Sequence, residues 1–243
     1  MKKKVEAVFS IEIRGKQIPA RVARESRRSI RASVGKEAVV LRMPLQATTQ
    51  AQQEYLAHFK TWLEKKSEQY PALLSRFESK DYQDEDTLIV GNRKYLLKIN
   101  YLDKKSSSGK LKSGIISLNL SRQASQKTIG NLISRLVAKD FLPEVIQRTQ
   151  EWNTRFFKKP IHSIVLKNLH SRWGSCSNKG NVNLSTRLLF APKDVQDYVI
   201  IHELAHLVEM NHSPRFWKLV ASIMPDYKDK EKWLKQYGEQ LRF

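Results

Sequence analysis

Residues 194–210 read Asp-Val-Gln-Asp-Tyr-Val-Ile-Ile-His-Glu-Leu-Ala-His-Leu-Val-Glu-Met, and no other stretch constrains the chain as tightly. Pro192 stands where a first helical turn tolerates it, and Asp194 and Asp197 suit the positive end of a helix dipole. The segment is therefore read as a helix. At about 100° per residue, His202 and His206 lie on one face a turn apart, so both imidazoles can reach a single ion. Glu203 follows the first of them and projects to the side. A charged Glu in an apolar helix is expensive to bury without a partner, which counts against reading the two histidines as ordinary core side chains.

A His-Glu-x-x-His run of this kind carries hydrolytic chemistry at a metal. Two neutral imidazoles suit a borderline-soft ion, Zn2+ above all. Glu203 beside them can act as general base, taking a proton from water and passing it to a leaving amine. A catalytic zinc needs a third protein ligand and one open position. His212, six residues after His206, stands just beyond the helix at a corner where Asn211 turns the chain. Ser213-Pro214 then reads as the N-cap and first-turn proline of a new helix running to about Met224. Glu209 also falls on the ligand face. His212 is preferred as the third ligand, with Glu209 as a partner orienting an imidazole. His58, His162 and His170 are scattered and read as surface or core residues.

Elsewhere, residues 5–45 alternate short apolar and basic runs, punctuated by Gly15, Pro19, Gly35 and Pro44, the pattern of strands and turns. Arg21, Arg24, Arg27, Arg28 and Arg31 form a basic cluster there, on what reads as one sheet face. From Thr48 to about Phe77 the residues Tyr55, Leu56, Phe59, Trp62 and Leu63 recur at helical spacing. Residues 87–90, 95–99 and 115–120 read as strands, with 104–114 as a Ser-, Gly- and Lys-rich loop. A helical region follows over about 126–157, which Pro143 is expected to break. Residues 162–169 and 181–189 are further strand candidates, and no internal repeat is visible. The expected fold is α+β: a basic, β-rich region over residues 1–120, then an α+β region over 121–243, the two able to share one core.

The formal charge is +20, with 44 Lys and Arg against 24 Asp and Glu. Such an excess favours anionic partners, nucleic acid among them, but equally describes a plain basic surface. Cys176 is the single cysteine, which excludes an internal disulfide and fits a reducing, cytoplasmic setting. The start Met1-Lys2-Lys3-Lys4 mimics the basic region of a signal peptide, yet Glu6 and Glu12 break the apolar stretch that should follow. No window approaches the roughly 18 apolar residues of a membrane helix.

Four motifs stand in order: Trp173-Gly174-Ser175-Cys176-Ser177, Gly180-Asn181-Val182-Asn183-Leu184, His202-Glu203-Leu204-Ala205-His206-Leu207, and Asn211-His212-Ser213-Pro214-Arg215-Phe216-Trp217. In this the chain resembles the YgjP-like metallopeptidase family, and its core is similar to that of the WLM and SprT-type proteases. The specific resemblance runs from about Arg172 to Trp233, with weaker likeness at Ser26-Arg27-Arg28-Ser29-Ile30 and Arg42-Met43-Pro44. It implies a zincin-like domain with the active-site helix against a small sheet, His202, His206 and His212 as zinc ligands, and Glu203 as catalytic acid/base. It implies little about substrate. Residues 173–175 either line a cleft for an extended polypeptide, or serve packing, with Trp173 in the core and Ser175 capping a turn. Cys176 reads as a buried, inert thiol before a metal-proximal thiolate. Phe216, Trp217 and Trp233 read as core supporting the site.

Three functions compete. The first is a zinc metallopeptidase acting on polypeptide. The second is a metal-dependent hydrolase of nucleoside triphosphates, a nucleotide pyrophosphatase, with Arg27, Arg28, Arg31 and the stretch 104–112 on the phosphates; such chemistry usually relies on Mg2+ held by carboxylates. The third is a binding module with a structural metal, which normally has four protein ligands and no use for Glu203.

Overall fold

The computed structural model describes residues 4–35, 37–78 and 80–243; the basic start Met1-Lys2-Lys3 lies outside them. The chain divides into two compact units, Met1–Glu78 and Ser79–Phe243.

In the first unit, β1 (Lys4–Ile13) and β2 (Lys16–Glu25) form a hairpin whose two-residue turn needs positive φ at both positions, Arg14 at 52° and Gly15 at 75°. β3 (Arg31–Val34) and β4 (Val39–Pro44) complete a sheet of order β1-β2-β4-β3, with β2 and β4 parallel. Helix α1 (Thr49–Gln69) starts at Thr48, whose hydroxyl accepts from the Ala51 N–H at 3.2 Å. It buries Phe59 and Leu63 with Ile13, Ile18, Val22, Leu41 and Met43. The arginine cluster does not share one face. Arg21 and Arg24 are three apart on a strand of period two, Arg27 and Arg28 lie in the next connection, and Arg31 opens β3. Arg24 is occupied with the Ala47 carbonyl (3.1 Å) and the Gln52 side chain (2.7 Å).

The second unit opens with β5 (Thr87–Val90), β6 (Arg93–Leu102), β7 (Ser108–Lys112) and β8 (Ile115–Ser121), in the order β5-β6-β8-β7. β7 occupies the stretch read as a loop. Its composition is poor for a strand, but Gly109 lets it lie close: a Cβ there would sit 2.6 Å from Leu118 Cδ2. Helix α2 (Gln126–Trp152), capped by Ser125 at 3.2 Å from the Thr128 N–H, packs Ile129, Ile133, Leu136 and Val137 into the same core as this sheet. This sheet and α2 thus share one core within the unit Ser79–Phe243. Pro143 does not break α2. It is exposed, as is Lys139, whose carbonyl loses its helical partner.

A second sheet of the unit, order β10-β11-β9, comprises β9 (Ser163–Lys167), β10 (Gly174–Cys176) and β11 (Asn181–Ser185). β11 stops at Ser185, short of residue 189, because residues 186–190 turn into a 3-10 helix. Three helices follow: α3 (Lys193–Ala205), α4 (Pro214–Ile223) and α5 (Tyr227–Tyr237). Asp197 does not serve the α3 dipole. It is 6% exposed and accepts from the Arg148 guanidinium and from Trp152 Nε1 at 2.9 Å, tying α3 to α2. No helix of the described residues is long and apolar enough to cross a membrane.

The first two sheets follow one plan. Each is an antiparallel hairpin, a parallel central pair and a second antiparallel pair, followed by a helix. This topological repeat is invisible in the side chains.

Candidate metal centre

α3 is shorter than the segment 194–210. It ends at Ala205, and the main chain then tightens, with the Leu207 N–H bonded to the Leu204 carbonyl at 2.9 Å and the Val208 N–H to that of Ala205 at 3.0 Å. His206 keeps right-handed helical angles as the cap (φ −66°, ψ −18°), so it stays on the face of His202. The turn at 207–211 brings His212 back over both. Ser213 caps α4 through its hydroxyl, 3.3 Å from the Phe216 N–H, with Pro214 in the first turn, as the residues indicate.

The three imidazoles converge. Their ring centroids are 4.8–5.1 Å apart, one nitrogen from each lies within 4.8 Å of the others, and His202 Nε2 is 3.0 Å from His212 Nε2. Phe216, fully buried, floors the group, 4.6–4.9 Å from each ring. Burial, and then the charges of His206 and His212, hold His202 down to about 3, so it is neutral near pH 7. Burial also lowers His206, against a hydrogen bond from Nδ1 to the Glu209 carbonyl at 3.2 Å. Glu209 thus does orient an imidazole, through its main chain and not its carboxylate. That contact leaves His206 Nε2 for another partner. A tetrahedral ion with bonds of 2.0–2.1 Å needs nitrogens about 3.3 Å apart. Three imidazole nitrogens gathered within 4.8 Å of one another fit a divalent metal. Among the described residues no other group of three or more His, Cys, Asp or Glu side chains is so placed; His58, His162 and His170 stand apart.

Glu203 is 5% exposed, and burial pushes its carboxyl up to about 8, with the charge of Arg172 pulling the other way. It lies against β10: a Cβ on Gly174 would meet Glu203 Oε1 at 2.5 Å and Cγ at 2.6 Å. Cys176, on the same side of β10, is half-buried, and burial followed by the Glu203 charge raises its thiol to about 11. It does not belong to the group of side chains that converges with His202, His206 and His212.

β10 is an edge strand. The Trp173 carbonyl accepts from the Ser185 N–H at 2.8 Å and the Ser177 N–H donates to the Asn181 carbonyl at 3.1 Å. By the alternation of an antiparallel ladder, the backbone groups of Gly174 and Cys176 point away from β11, along the open edge beside Glu203. Ser175 does not cap a turn; its hydroxyl accepts from Asn183 Nδ2 at 3.2 Å. Trp173 takes the packing role. Its ring lies 4.2 Å from the Arg187 guanidinium, which is buried and bonds the carbonyls of Leu241 (2.7 Å), His170 (3.0 Å) and Gly238 (2.5 Å). Nothing in the residues flagged Arg187. An arginine between Thr186 and Leu188 carries no pattern, and the three carbonyls it bonds are main-chain groups that no residue type announces.

A family model described as YgjP-like, metallopeptidase domain, matches residues 28–237. The protein named UTP pyrophosphatase of Escherichia coli (strain K12) is 30% identical over a match spanning 37% of this chain and 66% of that one. Among solved structures, the metallopeptidase zymogen abylysin of Pyrococcus abyssi is 25% identical, over 37% of this chain and 90% of that one, with a TM-score of 0.35. The metallopeptidase zymogen jannalysin of Methanocaldococcus jannaschii is 18% identical, over 38% and 94%, with a TM-score of 0.34.

Proposed function

The chain belongs to the YgjP-like metallopeptidase domain family, and from that premise we propose that it hydrolyses peptide bonds at a zinc ion held by His202, His206 and His212. Glu203 is the general base and then the general acid. The observation that carries the reading is a buried carboxylate set between three converging imidazoles and an open strand edge. Zinc bound there supplies Lewis acidity, polarising a scissile carbonyl and acidifying water.

The chain's own residues do the rest. An extended polypeptide pairs with the free backbone groups of Gly174 and Cys176, which gives affinity tolerant of sequence. That pairing lays a peptide carbonyl beside Glu203. In its buried niche Glu203 has a raised proton affinity, and beside a bound cation it returns toward the ionised form, so it can take a proton from the attacking water and deliver it to the leaving amine.

A second reading has one observation in its favour, the relative named UTP pyrophosphatase, of whose length this chain spans 66%. On that reading the same residues hydrolyse a nucleoside triphosphate.

The test is elemental analysis of the wild type and Glu203→Gln, with both assayed on unfolded protein and on nucleoside triphosphates. One zinc per chain in both, with proteolysis in the wild type alone, is the expected result. Glu203-dependent release of pyrophosphate without proteolysis moves the assignment to the second reading. A protein without metal or activity refutes both.

A further inference from the structure

Accepting His212 as a metal ligand, we propose that Trp217 is the residue that positions it, with Tyr227 as the support behind Trp217. The three imidazoles are not held alike. His202 is rooted in α3, and His206 caps that helix with Nδ1 on the Glu209 carbonyl. His212 is exposed in the short link between the turn and α4, and its one hydrogen-bond contact is Nε2 to His202 Nε2. Nε2 is the nitrogen that faces His202, and so the one that would be given to an ion. With it engaged, no hydrogen bond among the described residues sets the plane of the His212 ring.

Aromatic stacking supplies that restraint. The Trp217 ring lies 5.7 Å from the His212 ring at 27°. Tyr227 stacks on Trp217 at 5.3 Å and 18°, and Tyr198 on Tyr227 at 6.4 Å and 22°. Tyr198 in turn meets His202 edge-on at 5.9 Å. The rings run in series from the third imidazole through α4 and α5 back to the first, so α5, outside the ligand motif, helps to orient it. Phe216 meets His212 edge-on, at 4.8 Å and 70°, so it does not cover the ring face as Trp217 does, and Trp217 in turn meets His202 only edge-on, at 61°.

Zinc affinity of the full chain, by competition with a chelator, tests the proposal on Trp217→Phe, Trp217→Leu and Tyr227→Leu. Residues that orient a metal ligand typically cost tenfold or more in affinity when lost, so Trp217→Leu is expected to weaken zinc about tenfold and Trp217→Phe, which keeps a stacking face, about threefold or less. Tyr227→Leu gives a smaller loss of the same sense. The visible absorption of bound Co2+ should change in Trp217→Leu and stay unaltered in Trp217→Phe. Unchanged affinity in both leucine variants overturns the proposal. So does a loss shared equally by Trp217→Phe and Trp217→Leu that follows a falling melting temperature of the metal-free protein, since a merely structural Trp217 behaves that way. A wild type that holds no zinc sinks the metal centre itself, whatever the variants do.

Discussion

Gly174→Ala separates the chemistry of the site from its metal. The added Cβ would stand 2.5 Å from Glu203 Oε1, 2.6 Å from Cγ and 2.7 Å from Cδ. Unstrained non-bonded contacts of carbon begin near 3.5 Å, so about 1 Å must be found. Either Glu203 swings aside or β10 moves off α3. On the proposed reading, both change the distance between the carboxylate and a polypeptide paired along the Gly174–Cys176 edge. A misplacement of about 1 Å costs on the order of 100-fold in rate, equal to about 2.7 kcal/mol of transition-state stabilisation. Overpacking of one methyl costs about 1–3 kcal/mol of stability, so the fold should survive. The assay is kcat/KM on an unfolded polypeptide beside zinc content and the melting temperature. The expected result is full zinc, a modest fall in melting temperature and a hundredfold loss of kcat/KM. Placed on Glu203→Gln, the same substitution should cost almost nothing further, because the group it displaces is already inactive. Wild-type kcat/KM in Gly174→Ala, or full additivity with Glu203→Gln, refutes the reasoning.

Other substitutions probe the frame. Pro143→Ala restores a donor in the middle of α2 at an exposed position, and urea midpoints should rise by the equivalent of about 1–3 kcal/mol. Asp197→Ala strands the Arg148 guanidinium and Trp152 Nε1 between α2 and α3; the loss, read by the same titration, should be about 2–3 kcal/mol, below that of a fully buried pair because Arg148 is about one third exposed. Partial burial works to raise the Asp140 carboxyl, but hydrogen bonds from Tyr95 (2.6 Å) and Arg93 (2.8 Å) and the Arg93 charge outweigh it and hold it below the usual range. A depressed folded pKa gives stability that is present above the unfolded value of about 3.9 and is lost as pH falls through the folded one. Asp140→Asn should therefore flatten the acid limb of a stability–pH curve and leave the neutral region parallel.

The convergence of His202, His206 and His212 was legible because its information is local. The spacing of one helix, one cap and one turn brings the rings together. Features that depend on distant partners were not. Asp197 read as a dipole residue because Arg148, far off in sequence, is invisible from α3. Gly174 gave no sign that its missing side chain makes room for Glu203. β7 lacks apolar alternation strong enough to separate it from a loop, since its pairing with β8 carries it. Pro143 misled because a proline rule about helix interiors weighs less than the core burial on either side of it. The matching plan of the two four-stranded sheets could not be read at all, because it resides in hydrogen-bond direction and not in residue identity.

The order of the parts along the chain also sets a timetable for synthesis. The first sheet and α1 are complete by Glu78, while His202, Trp217 and Tyr227 come much later. At about 5–20 residues per second, the interval between Glu78 and Tyr227 is on the order of ten seconds. Through that time the residues of the first unit are in place and those of the candidate metal centre are not. His202, Glu203, His206, His212, Trp217 and Tyr227 fall within 26 residues of one another, so at that rate the whole cluster emerges within about 5 seconds, as a late and nearly simultaneous addition to the parts already made.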